Sequence, residues 1–262
     1  MAIRQTPFNT DHAINMVHLI QVAYSQYSGA LPVLPFVYGD YTILEYIFFT
    51  DFVSETRGAA GVKAPYGFIA QSTLDPSEFT VALRGTEGYV EWYDDLHLKL
   101  DPYFIGKGET EMGFTRIYDS GRVDVIATIN KWLATVDSPK LYVTGHSLGA
   151  GLATILAFDL ANDPATVPSD LHVYTFASPM VGDKLFAANY DVLIPQTWRV
   201  ANQLDVITWL PSSLMGYHHV DTEQELTFGL TVKPTPICRH ALTTYLYGLD
   251  SSLGIPADCA WF

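Results

Sequence analysis

The sequence predicts an α/β fold in which helices flank a central, mostly parallel sheet, within a single domain spanning residues 1–262. A chain of 262 residues that is 48% hydrophobic can bury one large core. From "VDVIATINKWLATV" onward, helical and strand-like segments alternate. Such alternation indicates parallel strand pairing with right-handed crossover connections. No internal repeat and no linker rich in Pro, Gly and Ser divides the sequence.

The first part of the chain predicts one helix and two strands. The helix is expected in "TDHAINMVHLIQVAYSQY", with Asn9 or Thr10 as its N-cap and apolar residues at helical spacing. Residues 28–65 have poor periodicity and predict only fragments. The segments "YGFIAQS" and "EFTVALRG" are typical of strands, and the connector "TLDPS" is rich in turn formers.

The second part of the chain predicts the alternating elements. The helix in "VDVIATINKWLATV" is expected to place one apolar face inward, formed by Val123, Ile126, Ile129 and Leu133. Strand "KLYVT" precedes a helix at 148–161, strand "LHVYTF" precedes the short helix "GDKLFAANY", and "TWRVAN" is a further strand. Ligand sites in parallel sheets lie beyond the carboxyl ends of the strands, so the residues that follow these strands are the candidates for chemistry.

The composition limits the partners and the compartment. The chain has 14 Lys and Arg against 28 Asp and Glu, a formal net charge of −14, which argues against nucleic acid and anionic membranes. No apolar run approaches the ~18 residues of a membrane-spanning helix. The start "MAIRQTPFNT" lacks a signal-peptide core, which leaves two locations open: a secreted protein whose signal was removed, which is our expectation, or a cytoplasmic protein. Cys238 and Cys259 could form a disulfide in an oxidising compartment or could remain as two free thiols.

The segment "VTGHSLGAG" places a serine between glycines at the junction of a predicted strand and helix. Gly145 and Gly149 leave room for a tight turn, which projects the hydroxyl of Ser147 above the sheet from a strained backbone. The N–H groups at the start of the following helix point at the same place, so the N–H of Leu148 is suited to stabilise an oxyanion. The pattern therefore predicts a nucleophilic serine.

A serine nucleophile needs a base and an acid that orients it. His240 is the preferred base because it lies where a loop after Pro236 is expected to run into a helix. His219 is the alternative. Asp205, directly after a predicted strand, is the preferred acid, although an aspartate there also suits a turn cap. Asp183 is better suited as the N-cap of the next helix. The remaining histidines are less suited by position. His12 and His18 lie on the first helix, His146 beside the serine, His97 after an acidic stretch, His172 inside a strand and His218 at a strand start.

Four segments and a late histidine resemble the fungal-type, class 3 triacylglycerol lipase family of the α/β-hydrolase superfamily. The segments are "VALRGTEGYVEWYDDL", "LYVTGHSLGAGLATILA", "VYTFASPMVGDKLFA" and "WRVANQLDVITWLP", and the histidine stands in "RHALTTYLYGL". They cover roughly residues 67–248 in the family's order. The resemblance implies an α/β-hydrolase fold with its nucleophile elbow at Ser147, an acid at Asp205 and a base at His240, and it implies a structural role for His219.

The same resemblance implies an oxyanion hole and a lid. The family's oxyanion residue follows an Arg-Gly pair and therefore corresponds to Thr86, whose N–H would act with that of Leu148. Asp95 would hydrogen-bond the hydroxyl of Thr86. Residues 87–98, "EGYVEWYDDLHL", would form a movable lid in which acids alternate with apolar or aromatic residues, namely Tyr89, Val90, Trp92 and Tyr93.

These features predict a serine ester hydrolase that cleaves lipid esters, a triacylglycerol lipase, at an oil–water interface. An esterase for soluble or aromatic acyl esters is the alternative within the same fold, and a non-catalytic binding protein is the alternative outside enzymes. No metal-ligand cluster, P-loop or dinucleotide fingerprint occurs in the sequence, so no metal and no cofactor is expected.

Overall fold

The computed structural model describes residues 5–52, 61–86, 99–103, 106–163, 170–220, 223–227 and 231–260. Its strands are β1 (Phe36–Tyr38), β2 (Tyr41–Asp51), β3 (Val62–Ser72), β4 (Glu78–Leu83), β5 (Leu100–Pro102), β6 (Glu109–Glu111), β7 (Lys140–His146), β8 (Asp170–Phe176), β9 (Gly182–Asp183), β10 (Thr197–Asn202), β11 (Tyr217–His218) and β12 (Glu223–Leu226). Its α-helices are α1 (Thr10–Ser28), α2 (Met112–Asp119), α3 (Arg122–Leu133), α4 (Leu148–Asn162), α5 (Lys184–Leu193), α6 (Pro236–His240) and α7 (Leu242–Leu249). Short 3-10 helices cover Val206–Trp209, Ser213–Met215 and Ser251–Leu253.

An eight-stranded sheet forms the centre of the molecule, in the order β1-β2-β3-β4-β7-β8-β10-β12. In this sheet, neighbouring strands among β1, β2, β3 and β4 pair antiparallel, and those among β4, β7, β8, β10 and β12 pair parallel. The parallel strands therefore end at one edge, where the loops after β4, β7 and β10 meet. A smaller sheet of four short strands has the order β11-β9-β6-β5. The predicted α/β architecture is confirmed.

Helices cover both faces of this sheet and produce two hydrophobic cores. Alternate residues of β4 show the division, since Phe79 and Val81 pack on one face while Ala82 packs on the other. The first core includes the buried side chains of α2, α3, α4 and α5. The second core is formed against α1 and α7. Among the described residues, no helix combines the length and apolarity that a membrane span requires.

The helix α1 begins as the sequence predicts, and Asn9 is the N-cap, because its side chain accepts from the N–H of His12. The region 28–65 contains more structure than its periodicity predicts. It holds the eleven-residue strand β2, whose pairing with β3 shifts register between Ile43 and Glu45 and again between Ile47 and Phe48. Such irregularities interrupt the period of two, so the alternation that marks a strand is lost from the sequence.

The inward face of α3 agrees with the predicted one at Ile129 and Leu133, which are buried, and at Ile126, which is partly buried, but differs elsewhere. Val125, Ile129 and Leu133 are its buried residues, at a spacing of four. Val123, which the sequence places on the same face, is 76% exposed. The predicted set combined spacings of three and four, and the position of the helix against β2 selects the face that starts at Val125.

Candidate active site

The turn between β7 and α4 holds Ser147 in a strained conformation. Its φ of 58° and ψ of −126° are unusual for a residue with a side chain. A Cβ atom at Gly145 would lie 2.2 Å from the carbonyl oxygen of Gly149, and one at Gly149 would lie 2.5 Å from that of Arg84. Both glycines are therefore required by backbone crowding, as the sequence predicts. Leu148 is the first residue of α4, where N–H groups lack partners within the helix.

The side chains of Ser147, His240 and Asp205 form a continuous hydrogen-bonded row. The distance from Ser147 Oγ to His240 Nε2 is 2.8 Å, and that from His240 Nδ1 to Asp205 Oδ2 is 2.9 Å. Because a carboxylate only accepts, Nδ1 donates to Asp205 and Nε2 of the neutral ring accepts from the serine hydroxyl. All three residues are buried, with Asp205 fully so. This arrangement can move a proton from the serine to the imidazole.

Asp205 both caps a turn and orients the histidine, so the two roles that the sequence leaves open coexist. Its Oδ1 accepts from the N–H of Ile207 at 3.1 Å, which caps the 3-10 helix Val206–Trp209. Its Oδ2 accepts from His240 and from the hydroxyl of Tyr245, at 2.8 Å. Three donors thus compensate for the burial of this carboxylate.

Tyr245 is a site residue that the sequence reasoning missed. Its hydroxyl lies on α7, accepts from the N–H of Asn202 at 3.2 Å and donates to Asp205. Burial and the nearby Asp205 raise the pKa of Tyr245 well above its usual value, so the hydroxyl remains a donor. The available signal was its position five residues after His240, but a tyrosine in an apolar helix is ordinarily a core residue.

His240 lies at the end of a helix rather than at the start of one. Pro236–His240 forms α6, which Thr235 caps by accepting from the N–H of Cys238. Asn202 Nδ2 donates to the carbonyl of Arg239 at 3.0 Å. Cys238 and Cys259, which are 21 positions apart, form a disulfide. Of the two possibilities that the sequence leaves open, a disulfide and two free thiols, the structure contains the disulfide. The two residues that directly precede the base are therefore both anchored, Cys238 by the disulfide and Arg239 by Asn202.

His219 and Asp183, the alternatives for the base and the acid, have hydrogen-bond partners elsewhere in the structure. His219 Nε2 donates to the carbonyl of Thr208 at 2.5 Å, away from Ser147, and burial together with Arg199 lowers its pKa to about 3. Its ring therefore supports the turn after Asp205, and the ring that bonds Ser147 Oγ is that of His240. Asp183 caps α5 by accepting from the N–H of Phe186 at 2.8 Å, as the sequence predicts.

His97 lies outside the described residues. The other histidines within the described ranges, apart from His146, have no contact with the row. His172 is stacked between Tyr142 and Trp198, and its ring bonds to Asp170 at 2.9 Å. His218 belongs to β11 of the smaller sheet, and His12 and His18 lie on α1. No group of side chains suited to hold a metal ion occurs within the described ranges.

The strand that leads to Thr86 runs beside the elbow. Arg84 is fully buried between the rings of Tyr27 and Tyr66, and its Nη1 donates to the carbonyl of Gly85 at 2.7 Å. Thr86 Oγ1 is buried and has no hydrogen-bond partner among the described residues. The residue expected to bond it, Asp95, lies outside those residues. So do the predicted lid positions Tyr89, Val90, Trp92 and Tyr93 and the whole of 87–98.

The sheet order, the helices on both faces and the strained serine after β7 define the α/β-hydrolase class. A lipase from Rhizopus microsporus var. chinensis shares this fold, with a TM-score of 0.68 and 23% identity over 86% of this chain and 76% of that one. The profile of the class 3 lipase family matches residues 80–215, just over half of the sequence. The chain belongs to the class 3 lipase family.

Two relatives extend the comparison. Phospholipase A1-II 1 of Oryza sativa subsp. indica is 28% identical over 219 aligned positions, and the match covers 72% of this chain and 55% of that protein. Secreted mono- and diacylglycerol lipase 1 of Fusarium solani is 27% identical over 209 aligned positions, and the match covers 77% of this chain and 61% of that protein. The chain thus spans a little over half the length of these relatives.

Proposed function

We propose that this protein is a serine ester hydrolase that cleaves carboxylic esters of lipids through an acyl-enzyme on Ser147. The observation that carries the proposal is the buried row in which Ser147 Oγ, His240 and Asp205 are joined at 2.8 and 2.9 Å. A structural serine has no need of a strained φ or of a histidine backed by a buried carboxylate.

In the first half of the reaction, Ser147 Oγ attacks the ester carbonyl carbon while its proton passes to His240 Nε2. Asp205 stabilises the imidazolium that forms and remains a carboxylate, supported by its other two donors. The carbonyl oxygen becomes an oxyanion, which the N–H groups of Thr86 and Leu148 stabilise. The intermediate collapses, the alcohol leaves with the proton from His240, and the acyl group stays on Ser147.

In the second half, water takes the place of the alcohol. His240 Nε2 accepts a proton as the water oxygen attacks the acyl carbonyl carbon, and the same two N–H groups stabilise the second oxyanion. Collapse returns the proton to Ser147 Oγ and releases the carboxylic acid. The cycle consumes one ester and one water, and these steps use only side chains and backbone groups of the chain.

Replacing the nucleophile tests the proposal. Ser147→Ala should lower ester hydrolysis by several orders of magnitude, leaving about 10³-fold over water, and should abolish covalent labelling by a fluorophosphonate probe. Ser72→Ala is a matched control, because its buried hydroxyl serves the turn after β3 at the opposite edge of the sheet. Wild-type turnover in folded Ser147→Ala would refute the proposal, and so would a wild-type protein that the probe does not label.

The lipid substrate is supported by apolar side chains beside the acid. Leu204 and Val206 flank Asp205 and are 54% and 40% exposed, and Trp209 is 58% exposed. Ile237, on the helix that carries the base, is 61% exposed. If these side chains form one contiguous patch in the folded protein, that patch is suited to bind apolar material, which agrees with a lipid substrate. The names of the rice and Fusarium relatives refer to phospholipid and glyceride substrates, which agrees with an ester of this class.

We extend the proposal to a triacylglycerol lipase with a lid at residues 87–98. A lid that exposes apolar surface on opening costs about 25 cal/mol per Å², which a lipid surface would remove. The rate should therefore rise abruptly as tributyrin passes its solubility limit, and Trp92→Ala should blunt the rise. The net charge of −14 favours neutral droplets over anionic vesicles. We propose secretion for the same protein, as the name of the Fusarium relative suggests.

The competing substrate class is soluble or aromatic acyl esters. A panel of p-nitrophenyl esters of increasing chain length, assayed beside emulsified triglyceride, separates the two. A preference for short or aromatic esters, with simple saturation through the tributyrin solubility limit, would replace the lipase with an esterase on the same residues.

A further inference from the structure

His146 directly precedes the nucleophile, is buried and takes no part in the row formed with Asp205. Its ring joins two other parts of the site. The distance from His146 Nε2 to the backbone oxygen of His240 is 2.8 Å, and that from His146 Nδ1 to the hydroxyl of Tyr24 is 2.9 Å. The same hydroxyl accepts from the N–H of Gly85 at 2.9 Å. Tyr24 belongs to α1 and lies 122 positions before His146 in the sequence.

The direction of every hydrogen bond in this network follows from its end points. A backbone oxygen only accepts, so Nε2 of His146 carries the proton and donates to His240. In the neutral ring Nδ1 then accepts, and the hydroxyl of Tyr24 donates to it. The oxygen of Tyr24 keeps a lone pair for the N–H of Gly85. One protonation state therefore satisfies all three bonds.

The charge state of His146 agrees with this assignment. Burial and the neighbouring His240 hold the pKa of His146 well below its usual value. The rings of His146 and His240 have centroids 4.8 Å apart, and the ring of Tyr245 is 6.2 Å from His146. A second cation so close to His240 would oppose the imidazolium that forms in catalysis, and a neutral His146 avoids that repulsion.

Close packing restricts the same place. A Cβ atom at Gly85 would lie 2.6 Å from the hydroxyl of Tyr24, 2.8 Å from the backbone oxygen of His146 and 3.0 Å from Ser147 Cβ. Gly85, in the segment between β4 and Thr86, is therefore packed closely against both the elbow and Tyr24. Since Thr86 follows Gly85, a bond that holds the N–H of Gly85 also determines where the next peptide lies.

We infer that Tyr24 and His146 are positioning residues, which hold Gly85 in the segment after β4, the elbow at Ser147 and the backbone of His240 in one fixed relation. This inference rests on the proposed ester hydrolysis. The network acts through backbone groups and touches no reacting atom. Catalytic rates are sensitive to displacements of about 1 Å, so loss of the network should slow the chemical steps more than it weakens substrate binding.

The test compares kcat and KM on a water-soluble p-nitrophenyl ester, which removes any effect of an interface. His146→Leu should lower kcat about 10- to 100-fold and change KM by less than about threefold. Tyr24→Phe, which keeps the ring and deletes only the hydroxyl, should lower kcat by a smaller factor. His146→Gln restores an amide donor toward the backbone oxygen of His240, and it should recover part of the loss seen in His146→Leu.

Matched controls separate this role from general stability. His172→Leu removes another stacked, buried histidine, and Tyr190→Phe deletes a buried hydroxyl that bonds to Thr197. Both should keep the wild-type kcat, and thermal unfolding verifies that each variant is folded. If His146→Leu does not fold, Tyr24→Phe and His146→Gln carry the comparison.

Two outcomes would overturn the inference. One is a folded His146→Leu or Tyr24→Phe protein with the wild-type kcat, and the other is an equal loss of kcat in the His172→Leu and Tyr190→Phe controls. Either result leaves the proposed function standing, because the wild-type enzyme is active in the same assay. A wild-type protein that neither hydrolyses esters nor reacts with a fluorophosphonate would overturn the proposed function and this inference with it.

Discussion

Gly85→Ala is the perturbation whose effect can be worked most directly from the structure. The added Cβ would lie 2.6 Å from the hydroxyl of Tyr24, 2.8 Å from the backbone oxygen of His146 and 3.0 Å from Ser147 Cβ. The tyrosine can rotate away, but the other two atoms belong to the elbow. The elbow cannot yield, because Gly145 and Gly149 are already in close contact with backbone atoms.

The segment that holds Gly85 and Thr86 must therefore move away from the elbow. An ordinary contact begins at about 3.4 Å, so the segment would move by about 0.6 Å to clear the backbone oxygen of His146 alone. That shift carries the N–H of Thr86 away from the position proposed for the oxyanion. A displacement approaching 1 Å costs up to about 10²-fold in rate. We expect kcat/KM to fall about 10- to 100-fold, or about 1.4 to 2.7 kcal/mol in activation free energy.

The assay is hydrolysis of a soluble p-nitrophenyl ester, with thermal unfolding measured in parallel. Overpacking should also lower the free energy of unfolding by about 1–3 kcal/mol. Gly29→Ala is the control, since a Cβ there meets only the backbone oxygen of Ser25, at 3.4 Å, and its φ of −132° is ordinary. A folded Gly85→Ala enzyme with unchanged kcat/KM would refute both the packing argument and the role of Thr86.

Three further results are expected. His240→Ala should be about as inactive as Ser147→Ala, while His219→Ala keeps most of kcat; the reverse order would reassign the base. Asp205→Asn should fold and lose up to about 10⁴-fold in kcat, because an amide cannot stabilise the imidazolium, and a loss below tenfold would contradict this role. The pKa of His219 is about 3 in the folded protein against 6.5 for an unperturbed histidine, so the unfolded chain binds the proton more readily between those values. The stability that neutral His219 contributes is therefore present above pH 6.5 and lost as the pH falls toward 3. His219→Asn should reduce the slope of the unfolding free energy against pH in this range by up to about 1.4 kcal/mol per pH unit. An unchanged slope, measured by denaturant titrations at several pH values, would contradict this.

Local sequence patterns were sufficient to predict most helices and strands and the elbow at Ser147. A strand followed by a glycine-flanked serine and a helix depends on the backbone of five consecutive residues, 145–149, and that is readable from sequence. Turn caps such as Asn9 and Asp183 are equally local, since each bonds to a backbone N–H three residues away. Where the local pattern is interrupted, as by the register shifts in β2, the element is not visible in the sequence.

Only the tertiary structure decided which distant side chains meet. Ser147 and His240 are 93 positions apart, and His240 and Asp205 are 35 apart, so their contacts depend on which strands neighbour each other in the sheet. The predicted positions of His240 and Asp205 in the chain favoured these two residues but left His219 and Asp183 as competitors, and the resemblance to a family supported the same preference. The sequence by itself determined the elbow at Ser147, because a turn of five residues defines its own backbone. Tyr24 and Tyr245 lie in the site only because α1 and α7 pack against the sheet. From the sequence each is indistinguishable from an ordinary core tyrosine, because the partner of its hydroxyl is defined only by the fold.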